Sequence, residues 1–271
     1  MFFFILDLRS ADVGGAVVPG RLTLGEPTMD TLRTCRNVVF LMHGFNVNRS
    51  TGAAEFQNLS RLLPAVGDGA AVAVLWPGDS MLGPASYPFE TNKADDSAVE
   101  LAKFIHDNLP QRPTISLIAH SLGSRVAMQT VVQLSAMGIP VDQVCLMAAA
   151  IDNDSLVSVA DYKFAALYAS RVAVLYSPAD QVLKYAYPAG NMLSAFLHWT
   201  AASNNALGYT GPQSAGGGLP AQIRATGIPL QNAVDHADYV PQVVWPPSDK
   251  QLAASRFANL VLSGGAALKY G

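Results

Sequence analysis

A serine sits where an apolar run gives way at once to a helical pattern. The run Ile115 to Ala119 leads into His120, Ser121, Leu122 and Gly123, and residues from about 122 to 137 then repeat apolar positions at helical spacing. A small residue, any residue, Ser, any residue and Gly between a strand and a helix is the pattern of a nucleophile elbow, with Ala119 in place of its first glycine. The chain doubles back sharply there, so the residues two before and two after the serine must be small. Ala119 and Gly123 both are. The helix start also sets the positive end of its dipole beside the hydroxyl. The plain structural reading makes Ser121 only an N-cap of that helix. A second motif favours the chemical reading.

That motif is Leu41-Met42-His43-Gly44-Phe45-Asn46, directly after the first central apolar run. An acyl-transfer site needs preorganised backbone N–H groups for the oxyanion. One is the residue after the nucleophile, Leu122. The other comes from the turn after an earlier strand, often His-Gly-x, and Phe45 is the assignment here. Gly44 lets the backbone approach closely. His43 reads as a histidine hydrogen-bonded within its own turn, shaping the loop, and not as the base. His120 reads as a structural neighbour pointing away from the site. Trp76 and Asp79 read as loop-shaping residues.

Positioning such groups requires a framework, and the pattern supplies one. Met1 to Leu6 reads as a first strand. Buried runs follow at 37–42, 70–76, 114–119, 143–151 and 171–176. Helical patterns lie between them at 52–65 (Phe56, Leu59, Leu62 and Leu63 on one face), 95–109, 122–137 and 158–169. A last one spans roughly 248–262, with Leu252, Phe257, Leu260 and Val261 apolar. Ser97 and Glu100 have the spacing of a capping box opening the 95–109 helix. Strands alternating with helices predict an α/β protein with a mostly parallel sheet, and near-continuous apolar strands predict one covered on both faces. Segment 11–36 predicts a hairpin or edge strand. No linker divides the 271 residues, so a single domain is expected.

Composition excludes several function classes. Hydrophobic residues make up 50% of the chain and mean hydropathy is +0.24, which excludes a disordered protein. Charged residues are only 14%, with a net charge of −3 and no basic block, so no nucleic-acid partner is expected. No run reaches the ~18 apolar residues of a membrane span, and the short apolar start lacks a basic n-region. A cytoplasmic protein is expected. Cys35 and Cys145 lie in or beside apolar runs and read as buried, reduced thiols. No cysteine or histidine cluster has metal-ligand spacing, and neither metal nor organic cofactor is expected.

The His-Gly-Phe-Asn loop, Trp76-Pro77-Gly78, and Ala119-His120-Ser121-Leu122-Gly123-Ser124-Arg125 resemble the α/β-hydrolase superfamily. More narrowly, they are similar to a bacterial branch of α/β hydrolases of unknown function, over roughly residues 37–240. The resemblance implies the α/β-hydrolase fold and a triad in the order Ser, acid, His. Only His198 and His236 follow Ser121, and all four glutamates precede it, so the acid must be an aspartate. Ser177-Pro178-Ala179-Asp180 follows the run 171–176 and resembles the superfamily's acid turn, which implies Asp180. Asp152, just past the preceding strand, is the runner-up. His236, on a loop before the last helix, resembles the usual base. His198, in the apolar stretch Ala195 to Trp199, is the alternative and could line a pocket.

The resemblance thus implies a serine hydrolase of carboxylic esters, with Ser121, Asp180 and His236 as triad and Phe45 and Leu122 at the oxyanion. The same residues would serve a thioesterase, peptidase, acyltransferase or perhydrolase, because fold does not fix chemistry. The reading from another class is a non-catalytic binding module on the same fold. The expected partner is a small, apolar ester, with a homo-oligomer as a further expectation. Tyr185 to Ile223 carries no charged residue at all, and holds Met192, Leu193, Phe196, Leu197 and Trp199 followed by Gly216 to Gly218. It reads as a core helix with a flexible loop, or as a lid, pocket wall or surface between copies of the chain.

Overall fold

In the computed structural model the described residues are 1–23, 27–62, 69–79, 87–111, 113–159, 161–187, 205–214, 218–228, 234–241, 246 and 248–251. They form an eight-stranded sheet: β1 (Phe2–Arg9), β2 (Val17–Leu22), β3 (Asn37–Met42), β4 (Gly69–Leu75), β5 (Thr114–His120), β6 (Gln143–Met147), β7 (Arg171–Tyr176) and β8 (Ile223–Gly227). The order across the sheet is β2-β1-β4-β3-β5-β6-β7-β8. Only β2 runs antiparallel to its neighbour; the other six pairings are parallel.

The central strands bury both faces. Every residue of β4 and β6 is buried, as are the inner residues of β3 and β5, because helices cover each side of a parallel sheet. These are α1 (Met29–Thr34), α2 (Arg49–Leu62), α3 (Tyr87–Asn108), α4 (Gly123–Ala136), α5 (Lys163–Tyr168) and a short α6 (Leu207–Thr210). Segment 11–36 holds the edge strand β2 and helix α1, as the hairpin-or-edge reading expects. Among the described residues no helix is long and apolar enough to cross a membrane. Cys35 and Cys145 are buried thiols in no disulfide.

Several expected boundaries shift for local reasons. Helix α2 starts at Arg49 because Asn48 Oδ1 accepts from the Thr51 N–H at 2.9 Å, a side-chain cap. Helix α3 starts at Tyr87, well before residue 95, with Pro88 in its first turn. Ser97 is therefore buried inside the helix and caps nothing. Strand β6 stops at Met147, four residues short of Ile151. Ala148 takes φ 46°, in the left-handed region, and turns the chain out of the ladder. Helix α5 starts at Lys163 and not at 158, since the preceding backbone is spent on turns, with Asp161 N–H donating to the Ser158 carbonyl (3.3 Å) and Tyr162 N–H to the Ser155 carbonyl (2.9 Å). Leu63, nearly all of the 248–262 helix, and residues 188–204 with His198 lie outside the described residues.

Candidate active site

The elbow is built by backbone bonds and one strained residue. Strand β5 delivers Ser121 at φ 54°, and α4 begins two residues later. A non-glycine residue in this region costs of order 1–3 kcal/mol and persists only where its surroundings hold it. The Ser121 N–H donates to the Met147 carbonyl at 3.0 Å. The Ser121 carbonyl accepts from Ser124 N–H (3.0 Å) and Ala150 N–H (3.1 Å). Helix α4 then passes so close to β3 that a Cβ at Gly123 would lie 2.4 Å from the His43 carbonyl oxygen. That is the physical content of the small residue two beyond the serine.

The loop after β3 lies against this turn. A Cβ on Gly44 would stand 2.8 Å from Ser121 Cβ. Phe45 follows at once, while Leu122 directly succeeds the serine as the cap residue of α4. His43 shapes the loop, as expected. Its Nδ1–H donates to the Gly44 carbonyl (2.8 Å) and its Nε2 accepts from Trp76 N–H (3.2 Å). The Trp76 indole N–H returns a bond to the His43 carbonyl at 2.8 Å, and the two rings stack at 5.4 Å. Burial, opposed by the Gly44 bond and aided by the nearby Arg9 charge, lowers the His43 pKa to about 4. It is neutral at ordinary pH.

Arg9, at the end of β1, carries a structural role that the sequence reading passes over. Its guanidinium donates to the carbonyls of Val47 (3.0 Å), Trp76 (3.3 Å) and Asp12 (3.0 Å) and pairs with Asp79. Both side chains are buried. One cation thus ties together three loops at the carboxyl edge of the sheet. The only sequence signal was a charge closing an apolar strand.

A third pair of loops brings the remaining groups in. Asp180 is fully buried after β7. Its Oδ1 accepts from Leu183 N–H at 2.8 Å, and its Oδ2 accepts from His236 Nδ1–H at 2.8 Å. With that proton on Nδ1, His236 Nε2 is free to accept from Ser121 Oγ–H, 2.9 Å away. His236 opens a single 3₁₀ turn, His236–Asp238, capped by Asp235. The acid and base loops are stapled twice. Ser177 Oγ–H donates to the Val234 carbonyl at 2.6 Å. Asp235 Oδ1 accepts from both Gln181 N–H (3.0 Å) and His236 N–H (2.8 Å).

The structure therefore brings Ser121, His236 and Asp180 into one hydrogen-bonded chain, with Gly44 packed against the serine. Asp152, the runner-up acid, is elsewhere engaged: its Oδ1 accepts from the Tyr187 hydroxyl at 2.8 Å. His120 corrects its expected orientation. Its ring does not point away but lies 4.8 Å from the His236 ring, with Nε2 2.8 Å from the His236 carbonyl oxygen. Alternation along β5 sets its side chain; the partner comes from 116 residues downstream, a contact no local pattern encodes.

Sheet order, helix placement and elbow define an α/β-hydrolase fold. A family model matches residues 28–191, well over half the chain, and the chain belongs to that family, the α/β hydrolases of unknown function designated DUF900. The match stops short of His236. No curated protein matches the chain. Among solved structures it is similar to the catalytic core domain of acetyl xylan esterase from Trichoderma reesei, at 12% identity, 84% of this chain, 97% of that one and a TM-score of 0.43. It is also similar to an esterase from Pyrobaculum calidifontis, at 16% identity, 85% and 76% coverage and a TM-score of 0.47. A third is esterase B from Lactobacillus rhamnosis, at 12% identity, 85% and 77% coverage and a TM-score of 0.42. At these identities and scores none of them bears on the chemistry of this chain.

Proposed function

We propose that the protein is a serine hydrolase of small carboxylic esters, working through an acyl-enzyme on Ser121. The observation that carries this is the pair of bonds through one imidazole: Ser121 Oγ to His236 Nε2 at 2.9 Å and His236 Nδ1 to Asp180 at 2.8 Å. A serine hydroxyl is a weak nucleophile until a base takes its proton during attack.

In this reading Oγ attacks the ester carbonyl carbon while its proton passes to His236 Nε2. The buried Asp180 carboxylate stabilises the imidazolium and holds its tautomer. The carbonyl oxygen becomes an oxyanion, met by the N–H groups of Phe45 and Leu122. Each such donor typically contributes about 2.7–4 kcal/mol to the barrier reduction. Collapse breaks the bond to the alcohol oxygen, which leaves with the proton from Nε2. Water then repeats the sequence on the acyl-serine, and the acid departs.

The absence of Asp, Glu, Lys and Arg from Tyr185 to Ile223 supports an apolar acyl group, with part of that segment as pocket wall or lid. One continuous sheet drawing strands from Phe2 to Gly227 supports a single domain. Hydrolysis of p-nitrophenyl esters of graded chain length, with Ser121→Ala as control, tests the reading. Turnover that prefers short or medium acyl chains and vanishes in the variant is expected. Equal turnover by the variant removes Ser121 from the mechanism.

A further inference from the structure

His236 is held in four places. Its ring nitrogens bond Asp180 and Ser121, its backbone N–H bonds Asp235, and its backbone carbonyl accepts from His120. The ring bonds orient the imidazole about its own side-chain torsions. The bonds of Ser177 to Val234 and of Asp235 to Gln181 tie its loop to the acid turn, while the bond from His120 ties it to the nucleophile elbow. Asp235 is exposed to solvent and belongs to the same small turn. His120 is different in kind, because it sits in the rigid sheet and is the residue directly before Ser121.

We propose that His120 is a positioning residue that docks the His236 loop onto the nucleophile elbow through its Nε2–H bond to the His236 carbonyl. The inference rests on the serine-hydrolase reading of Ser121 and His236.

Three observations support it. A carbonyl oxygen only accepts, so His120 must carry its proton on Nε2, and the 2.8 Å separation is that of a well-formed bond. The ring is half-buried and packs against the His236 ring at 4.8 Å, so the bond is partly screened from water. Burial, followed by the neighbouring His236, lowers the His120 pKa to about 3. It therefore stays neutral and keeps a single donor pointed at the loop while His236 gains and loses a proton beside it. Gly44 leaves the room this ring needs, since a Cβ there would lie 3.2 Å from His120 Nδ1. A residue that merely filled the core would need none of this donor geometry.

The bond makes the distance between base and nucleophile a property of two adjacent residues. Ser121 and the anchor of its base share one peptide link. Loss of the anchor leaves Ser121 and its backbone bonds in place but lets the imidazole wander, and a displacement near 1 Å at a reacting group can cost roughly 100-fold in rate.

The test compares His120→Gln, whose side-chain amide N–H can reach the same carbonyl, with His120→Asn, which is polar but too short, and His120→Leu. Folding is checked by circular dichroism and thermal melting. For a p-nitrophenyl ester, His120→Asn and His120→Leu should lose roughly 10- to 100-fold in kcat with KM nearly unchanged, and His120→Gln should recover most of it. A second readout needs no substrate: the low-field proton resonance of His236 Nδ1–H should broaden or shift in His120→Asn and return in His120→Gln. Full kcat in a folded His120→Asn overturns the proposal. So does a His120→Gln no better than His120→Asn, or an unmoved resonance in His120→Asn. Should His120→Leu fail to fold, the Gln and Asn pair decides alone. If the wild-type protein shows no esterase activity, the function reading fails, while the resonance still decides the positioning role.

Discussion

His236 Nε2 stands 2.9 Å from Ser121 Oγ although 115 positions of chain separate them. The sheet makes that meeting possible. Parallel strands put every strand-to-helix turn at one edge, so β5, β7 and the loop beyond β8 all deliver side chains to the same side. The elbow supplies the hydroxyl, the turn after β7 the carboxylate, and the final loop the imidazole.

The identity of the acid is separable by mutation. Asp180→Asn should lower kcat by roughly 10⁴-fold, because an amide in place of Oδ2 no longer fixes the proton on Nδ1. Asp152→Asn should stay within a few-fold of wild type, since Asp152 bonds Tyr187 and not the histidine. Steady-state kinetics on both variants decides; a reversed ranking would transfer the role to Asp152.

Gly123 is a steric requirement. Gly123→Ala places a Cβ 2.4 Å from the His43 carbonyl, backbone that cannot swing aside. Overpacking of this kind costs about 1–3 kcal/mol or more, and here it also pushes α4 away from the loop carrying Phe45. Urea denaturation should show the loss in midpoint, and esterase rate should fall with it. A variant as stable and as active as wild type would contradict the packing described.

Arg9 and Asp79 form a buried pair whose halves depend on each other. Arg9→Met leaves the Asp79 carboxylate uncompensated and frees the carbonyls of Ala11, Asp12, Val47 and Trp76, at about 3–5 kcal/mol. The double variant Arg9→Met with Asp79→Asn should recover part of that, because no buried charge remains. Thermal melts of the three proteins measure it. Full additivity would argue against the coupling.

Two histidines with lowered pKa values give stability a pH dependence of definite sign. His43 and His120 have pKa values lowered from 6.5 to about 4 and about 3. Below ~6.5 the unfolded imidazoles take protons that the folded ones refuse. Their contribution is thus complete above ~6.5 and is lost as pH falls toward those lowered values. Glu55 acts oppositely: burial raises it to about 7, so its contribution is lost as pH rises toward that value. Comparing His120→Gln with wild type isolates one imidazole. The difference in unfolding free energy should move in the variant's favour by up to about 1.4 kcal/mol per pH unit from 6.5 to 4.5. A difference independent of pH would contradict a His120 that stays neutral in the folded protein.

Much of this site is legible in the amino-acid sequence, and the reasons are local. Ser121, Ala119 and Gly123 announce themselves because a tight turn restricts size at fixed offsets. The His43 loop does so because it must follow a strand closely. Strands β3 and β5 read clearly because parallel burial makes them continuously apolar. Boundaries fail where a single side chain decides them, as at Asn48, or where one residue leaves the ladder, as at Ala148. Arg9 and the orientation of His120 stay hidden for another reason. Their partners lie far along the chain, at 67 and 70 positions for Trp76 and Asp79 and 116 for His236, and only the folded sheet brings them near.

The central claim is that Ser121 is a nucleophile activated by His236. A fluorophosphonate probe followed by peptide mass spectrometry tests it without knowledge of the substrate. Stoichiometric, covalent modification of Ser121 in the folded wild-type protein is expected, slowed by orders of magnitude in His236→Ala and absent in Ser121→Ala. Folded wild-type protein that remains unlabelled, or that carries the label on another residue, would contradict it and favour a binding module built on the same fold.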